Sequence, residues 1–362
     1  MENKPLRTAT VTWITYRNFG TYLQAYALQQ AVKSLGYENR ILDDCRFVQS
    51  CPLRAFLGRW KRRLLGQPTA PVNSAAYQKF RKRYLQVDER WTDYADLNRR
   101  YDLFLCGSDQ IWSPYFKVNP YYYLGFTDKP KVAYAPSTGT GSLPDSYRRE
   151  TKPLLDRFSA IAVREASAAR TMSEYVDKEI RTVADPTLLL TAAEWEQVAA
   201  PVENADIPYL LCYFLSPNAW YMDYARAEAR RLGIPLKVFY NRSEYRDYGD
   251  ERLSAGPGEF LTYIRQATKV FTDSFHASIF SVLFHKDFVT FKRFEDGGER
   301  DQNARISDLF TRLGLSPRFV GRDRLAEAAT LALPDYAAVD GRLSRLRKES
   351  LDYLSGALAN KR

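Results

Sequence analysis

Acidic residues are missing from one long stretch of this 362-residue sequence. Between Cys45 and Val87 there is none, against ten lysines and arginines. The whole chain carries 53 basic and 43 acidic residues, a formal charge of +10, so the excess sits in that stretch and the remainder is balanced. Histidine is nearly absent, with His276 and His285 alone, and the four cysteines (Cys45, Cys51, Cys106 and Cys212) are few and irregularly spaced. A disulfide scaffold is therefore not expected, nor a zinc site, because neither histidine lies near a cysteine pair. No run of about 18 apolar residues occurs, so no membrane-spanning helix is expected. The first residues lack the basic region, apolar core and small-residue cleavage site of a secretory signal. Neither GxGxxG nor GxxxxGKS/T is present, which argues against a nicotinamide oxidoreductase and a P-loop ATPase. A cytoplasmic, reduced, globular protein remains. At about 150 residues per domain, the length suggests two domains.

The acid-free stretch is organised. Leu53, Phe56, Leu57, Trp60 and Leu64 follow the i, i+3, i+4, i+7 spacing of one helical face, and Arg59, Lys61, Arg62 and Arg63 cover much of the rest. Such a helix can lie in a membrane interface, where each Lys or Arg near an anionic leaflet adds about 1 kcal/mol. It can equally pack on its own domain with a solvated basic side. Nucleic acid ranks last as a partner, because no nucleic-acid motif accompanies the charge.

Elsewhere short apolar runs alternate with helical spacing. Residues 9–14 read as a buried strand, 23–35 as a helix closed by Gly36, and 39–43 as the next strand, which is a βαβ unit. Further strands are expected at 101–107, 131–135, 160–164 and 182–186. After residues 201–208 the pattern restarts, with strands at 209–214, 236–240, 269–272 and 287–291 and helices at 219–232, 257–267 and from Phe275 onward. The expectation is an α/β protein of two doubly wound, Rossmann-like domains facing a cleft, residues 1–200 and 201–335, with a closing helix at 336–362. In open parallel sheets, ligands bind beyond the carboxyl ends of the strands, so the residues there matter most.

Thr272-Asp273-Ser274-Phe275-His276 sits where a strand ends and a helix begins. Free backbone N–H groups and the helix dipole favour an anion there, and an imidazole at that point can act as acid or base. The plainer use is Asp273 or Ser274 as a helix cap with His276 on the flank. Gly107-Ser108-Asp109 ends another strand and offers a carboxylate, or merely a capped turn. Asn18-Phe19-Gly20 likewise either meets a ligand or turns the chain. Arg164-Glu165 and Asp185-Pro186-Thr187 also end strands. An arginine at such an end can grip a carboxylate or phosphate bidentately, and Lys292, Arg293 and Arg305 are further candidates. Tyr121-Tyr122-Tyr123 could stack on sugar, though core packing is the commoner use.

Together these motifs resemble the polysaccharide pyruvyl transferase family over residues 11–315. The marks are Asn18-x-Gly20 followed by LQAYALQQAVKSLGY (23–37), CGSDQIW (106–112), VRE (163–165), DPTLLL (185–190) and TDSFHASIFSVLF (272–284). The resemblance implies a two-domain, glycosyltransferase-B-like fold without metal. It implies transfer of pyruvate from phosphoenolpyruvate to two hydroxyls of one sugar, giving a cyclic ketal on a cell-surface glycan or its lipid-diphosphate-linked precursor. On it, His276 is the acid/base, Asp109 assists or orients acceptor hydroxyls, and Asn18, Gly20 and Ser108 line the acceptor side. Arg164 binds the donor. Relatives often carry Arg where this chain has Ser274, so donor binding here leans on Arg164, Arg305 or Lys269 beside Ser274. A lipid-linked acceptor would suit the basic segment 45–87 as a peripheral anchor on the anionic inner face of the plasma membrane. Two other readings share the pattern: a nucleotide-sugar glycosyltransferase of the same fold, and a non-catalytic glycan- or membrane-binding relative.

Overall fold

The computed structural model describes residues 5–15, 17–44, 73–203, 207–216, 218–239, 248–296 and 301–359. Two parallel sheets form its frame. The first contains β1 (Arg7–Val11), β2 (Glu38–Leu42), β3 (Val87–Asp88), β4 (Leu103–Cys106), β5 (Lys131–Tyr134), β6 (Ala160–Val163) and β7 (Ile180–Thr182), in the order β3-β2-β1-β4-β5-β6-β7. The second contains β8 (Leu210–Tyr213), β9 (Leu236–Phe239), β10 (Glu251–Leu253), β11 (Lys269–Thr272), β12 (Asp287–Phe291) and β13 (Phe319–Val320), in the order β10-β9-β8-β11-β12-β13. The central strands β4, β5, β8 and β11 are buried at every position. That is why they read as short continuous apolar runs rather than alternating ones. Each sheet reverses its strand order once, between β1 and β4 and between β8 and β11. Those reversals open a crevice at the carboxyl ends.

Nearly all expected strands are present, β11 and β12 with the expected ends and the others with ends shifted by up to three residues. The expected strand at 182–186 instead ends at Thr182, and Asp185 caps a short 3-10 turn. The edge strands β3, β10 and β13 were not expected. With two or three residues each they are too short to display a period.

The two sheets belong to lobes that share one apolar core. Phe19, at the start of the helix Phe19–Ser34 in the first lobe, stacks on Phe260 of the second at 4.4 Å between ring centroids. It also touches Tyr213 and Phe239, and Trp195 meets Phe280 edge-on. The helix Ser74–Tyr84 buries Tyr77 and Phe80 in the same core, while Lys79, Lys82 and Arg83 stay at its surface and Arg81 pairs with Asp43 and Glu89. The rest of the basic segment, including the amphipathic pattern at 53–66, lies outside the described residues.

The C-terminal helix Tyr336–Ala359 spans both lobes. Its Val339, Leu343 and Leu346 join the shared core, whereas Leu354 and Leu358 pack with Leu28 of the helix Phe19–Ser34 and with Leu103 and Val132 of the first sheet. Ser350 Oγ accepts from the Ala184 N–H at 2.9 Å, and Tyr353 donates to the Ala133 carbonyl at 3.0 Å.

Candidate functional site

β11 runs directly into the helix Phe275–Leu283, and Ser274 is its cap, with its hydroxyl accepting from the Ala277 N–H at 3.4 Å. This places His276 in the first turn, buried between the lobes. Its imidazole rests against the opposite lobe. A Cβ at Gly20 would stand 1.9 Å from His276 Nδ1, so no residue with a side chain fits at position 20 without moving the ring. Asn18 holds that backbone in place by accepting from the Gly20 N–H at 2.9 Å.

On its other edge, His276 Nε2 stands 3.6 Å from Asp185 Oδ2 and makes no hydrogen bond. Asp185 is fully buried. It accepts from Arg164 Nη1 at 2.7 Å and from the Thr187 N–H and hydroxyl at 3.0 and 2.7 Å. Burial pushes its carboxyl pKa up, but the neighbouring His276 and Arg164 outweigh that and hold it well below the usual carboxylate range.

Arg164 contacts this pair, and two further arginines lie within electrostatic reach of one another and of Arg164 or the helix start. Arg164 Nε donates to Glu165 Oε1 at 3.2 Å, and its guanidinium lies 4.4 Å from the centre of the Phe275 ring. Arg305 approaches the same ring from 5.9 Å and donates to Gln302 Oε1 at 3.2 Å. Arg293 Nε is 3.7 Å from Asp273 Oδ2. Each arginine keeps one buried N–H nitrogen without a partner: Arg164 Nη2, Arg293 Nε and Arg305 Nε. A buried polar group left unpaired costs about 1–3 kcal/mol, more when charged. Burial, reinforced by Arg164 and Arg293, pushes the Arg305 pKa down to about 9. Crowded, dry cations with unused donors form a site that favours a bound anion.

Asp109 lies on the first-lobe side, within the electrostatic reach of Arg164 and Arg305. Its carboxylate accepts from Thr21 Oγ1 at 2.7 Å and from the Gln110 N–H at 2.8 Å, and its φ of +65° is left-handed. Gln110 then reaches across the crevice to donate to Gln302 Oε1 at 2.9 Å. Among the described residues, no cluster of three or more His, Cys, Asp or Glu side chains is arranged to hold a metal ion.

The structure thus gathers His276, Asp109, Arg164 and Arg305, and gives the other expected residues partners within the protein. Lys269 opens β11, three residues before the strand's end at Thr272, and there it pairs with Glu228 at 2.9 Å and Asp287 at 3.2 Å. It therefore stands about 10 Å along the strand from the site end, at about 3.3 Å per residue. Ser108 is fully buried; its N–H donates to Gln24 Oε1, and its hydroxyl to the Ala135 carbonyl at 2.7 Å and to Asp185 Oδ2 at 3.4 Å. Gly20 is covered by the imidazole, and Asn18 and Ser274 are occupied as caps. Asp185 is visible in the sequence as a strand-end residue without a role, and its D-P-T turn is the available signal. Phe275 and Gln302 give none.

The family model for polysaccharide pyruvyl transferase matches residues 18–293. The chain belongs to the polysaccharide pyruvyl transferase family. That span contains every site residue named above except Gln302 and Arg305, which follow it. The comparison with curated proteins returned no match. Among solved structures, MnaA of S. aureus with UDP superposes with a TM-score of 0.54 at 9% identity, covering 93% of this chain and 90% of that one. A glycosyltransferase from Rickettsia africae gives 0.51 at 10% identity, covering 99% and 100%. The family member described here therefore has the GT-B fold, as the sequence resemblance implied. No helix among its described residues is long and apolar enough to cross a membrane.

Proposed function

We propose that this protein transfers pyruvate from phosphoenolpyruvate to two hydroxyls of one sugar of a cell-surface glycan or its precursor, forming a cyclic ketal and releasing phosphate. The observation that carries this reading is the trio Arg164, Arg293 and Arg305, each with a buried, unpartnered N–H, of which Arg164 bonds to the Asp185 that faces His276. The donor bears a carboxylate and a phosphate, and three unsatisfied arginines suit two such anions.

In this reading His276 delivers a proton to the donor methylene, making C2 electrophilic. A first sugar hydroxyl bonds to C2 and gives up its proton to the now neutral imidazole, directly or relayed by Asp109. The C2–O bond to phosphate breaks, the second hydroxyl closes the ring on C2, and its proton leaves with phosphate. In the net balance one hydroxyl proton replaces the one given to the new methyl group and the other leaves on phosphate, so the protonated ring is restored. Asp185 faces the ring at Nε2 from 3.6 Å. A well-placed acid or base contributes about 10²- to 10⁴-fold.

The surface cations Lys79, Lys82 and Arg83 and the acid-free segment around them support docking at an anionic cytoplasmic leaflet, where a lipid-linked acceptor would lie. The test is phosphate release from phosphoenolpyruvate over a panel of lipid-linked sugars. Wild type should release phosphate only with its acceptor, and His276→Ala should not. The nucleotide-sugar alternative is separated by thermal shift: stabilisation by UDP without stabilisation by phosphoenolpyruvate would reject the proposal.

A further inference from the structure

Arg164 is held from three directions. Its Nη1 donates to Asp185 Oδ2 at 2.7 Å, and its Nε donates to Glu165 Oε1 at 3.2 Å. Its Cζ stands 4.4 Å from the centre of the Phe275 ring, which comes from the other lobe. A planar guanidinium bonded at two edges and covered on one face keeps a fixed orientation. Nη2 alone is left without a partner, and it is buried.

Glu165 is a partner with its own peculiarity. It is buried, and it immediately precedes the helix Ala166–Ser173 without making a capping bond to it. A carboxylate can take Nε and Nη2 of an arginine together, as a fork. Glu165 takes Nε alone, and both its Oε2 and Arg164 Nη2 stay unpaired. Stability by itself would favour closing that fork, because buried polar groups are costly to leave unpaired. The bonded oxygen, Oε1, also accepts from the Ser137 hydroxyl. Ser137 is tied in turn: its N–H donates to the Asp109 carbonyl at 2.8 Å, and its Oγ accepts from the Gly139 N–H at 3.0 Å. One chain of bonds therefore runs from the Asp109 backbone through Ser137, Glu165 and Arg164 to Asp185, which faces His276.

We propose that Glu165 is a positioning residue for donor binding, that Ser137 fixes it, and that the two together aim Arg164 Nη2 at an anionic oxygen of the donor. The proposal rests on the pyruvyl-transfer reading for the identity of that anion, and not for the clamp itself. With Nε and Nη1 committed to Glu165 and Asp185, Arg164 meets the anion through a single nitrogen, and the remaining anionic oxygens are left to Arg293 and Arg305.

The experiment is calorimetric titration of the full chain with phosphoenolpyruvate and with inorganic phosphate, alongside phosphate-release kinetics. The variants are Glu165→Ala, which loses both bonds, Glu165→Gln, which keeps a carbonyl oxygen for Arg164 Nε and Ser137, and the milder Ser137→Ala. Glu165→Ala should weaken phosphoenolpyruvate by about tenfold or more, the scale of a lost bond to a charged group, and raise its KM in step. Its kcat should stay close to that of wild type, and Glu165→Gln should bind nearly as wild type does. Ser137→Ala should weaken the donor by a smaller factor, and it carries the test should Glu165→Ala fail to fold. Wild-type affinity in the alanine variants that fold overturns the proposal. Equal weakening by Gln and Ala overturns it as well, because charge rather than the bond would then matter. So does a fall in kcat at unchanged KM, which would put Glu165 in the chemistry. If wild type binds phosphate but not phosphoenolpyruvate, and Glu165→Ala weakens phosphate, the pyruvyl-transfer reading falls and the clamp stands. Failure of wild type to bind either anion overturns both.

Discussion

Gly20 and His276 belong to different lobes, yet the backbone of one is the wall against which the ring of the other rests. With 1.9 Å between a Cβ at position 20 and Nδ1, even a methyl group must displace the imidazole. Gly20→Ala should lower kcat by about 10²- to 10⁴-fold, the contribution of a positioned acid or base. Binding of phosphoenolpyruvate, measured by calorimetry, should fall far less, because the arginines do not touch Gly20. Wild-type kcat in the Gly20→Ala variant would show that the ring's position is immaterial.

Asp185 makes a second prediction, about pH. An acid whose folded-state pKa lies below its ordinary value stabilises the fold in full above that ordinary value, near 4, and loses the effect as the pH falls toward the depressed one. Asp185 is such an acid. Asp185→Asn should cost about 3–5 kcal/mol near neutral pH, because Arg164 loses a buried partner. The loss of stability on acidification below about pH 4 should also be shallower in the variant. Urea unfolding at several pH values checks both.

Arg305 behaves in the opposite sense. A base whose pKa is lowered by folding carries a cost that is present at neutral pH and is relieved only as the pH rises past the lowered value, here about 9. Arg305→Met should therefore leave the ligand-free melting temperature unchanged or higher. Wild type should gain about 2.7 kcal/mol at a hundredfold excess of phosphoenolpyruvate over its Kd. At the same concentration Arg305→Met should gain much less. Thermal unfolding with and without donor reads this directly.

Lys269 supplies the contrasting case. Its ammonium neutralises Glu228 and Asp287 at the far end of β11. Lys269→Met should lower stability yet leave the affinity for phosphoenolpyruvate within about twofold of wild type. A larger loss of donor affinity would contradict the separation of that lysine from the site.

The sequence made the two series of parallel strands readable because buried parallel strands and their crossover helices have strong local patterns. It also displayed His276, Arg164 and Asp185, since each stands at the end of an apolar run. What it could not display was the meeting of distant segments. Nothing local tells that Gly20 faces an imidazole 256 residues away, that Gln110 bonds to Gln302, or that the Ser108 hydroxyl is shared between the Ala135 carbonyl and Asp185. Lys269 looks close to His276 in sequence, but the extended strand carries them apart. Phe275 looks like core, and its use as a face for two guanidinium groups is visible only in three dimensions.

The helix Tyr336–Ala359, anchored by Leu343 and Leu346 at one end and by Leu354 and Leu358 at the other, fastens the two halves together. The Phe19–Phe260 stack fastens them a second time. A wide swing of one half away from the other would expose that aromatic surface to water at each turnover. An opening of that kind would have to break the Phe19–Phe260 stack and part the helix from one of the two halves, so the arrangement of the crevice is held at two places.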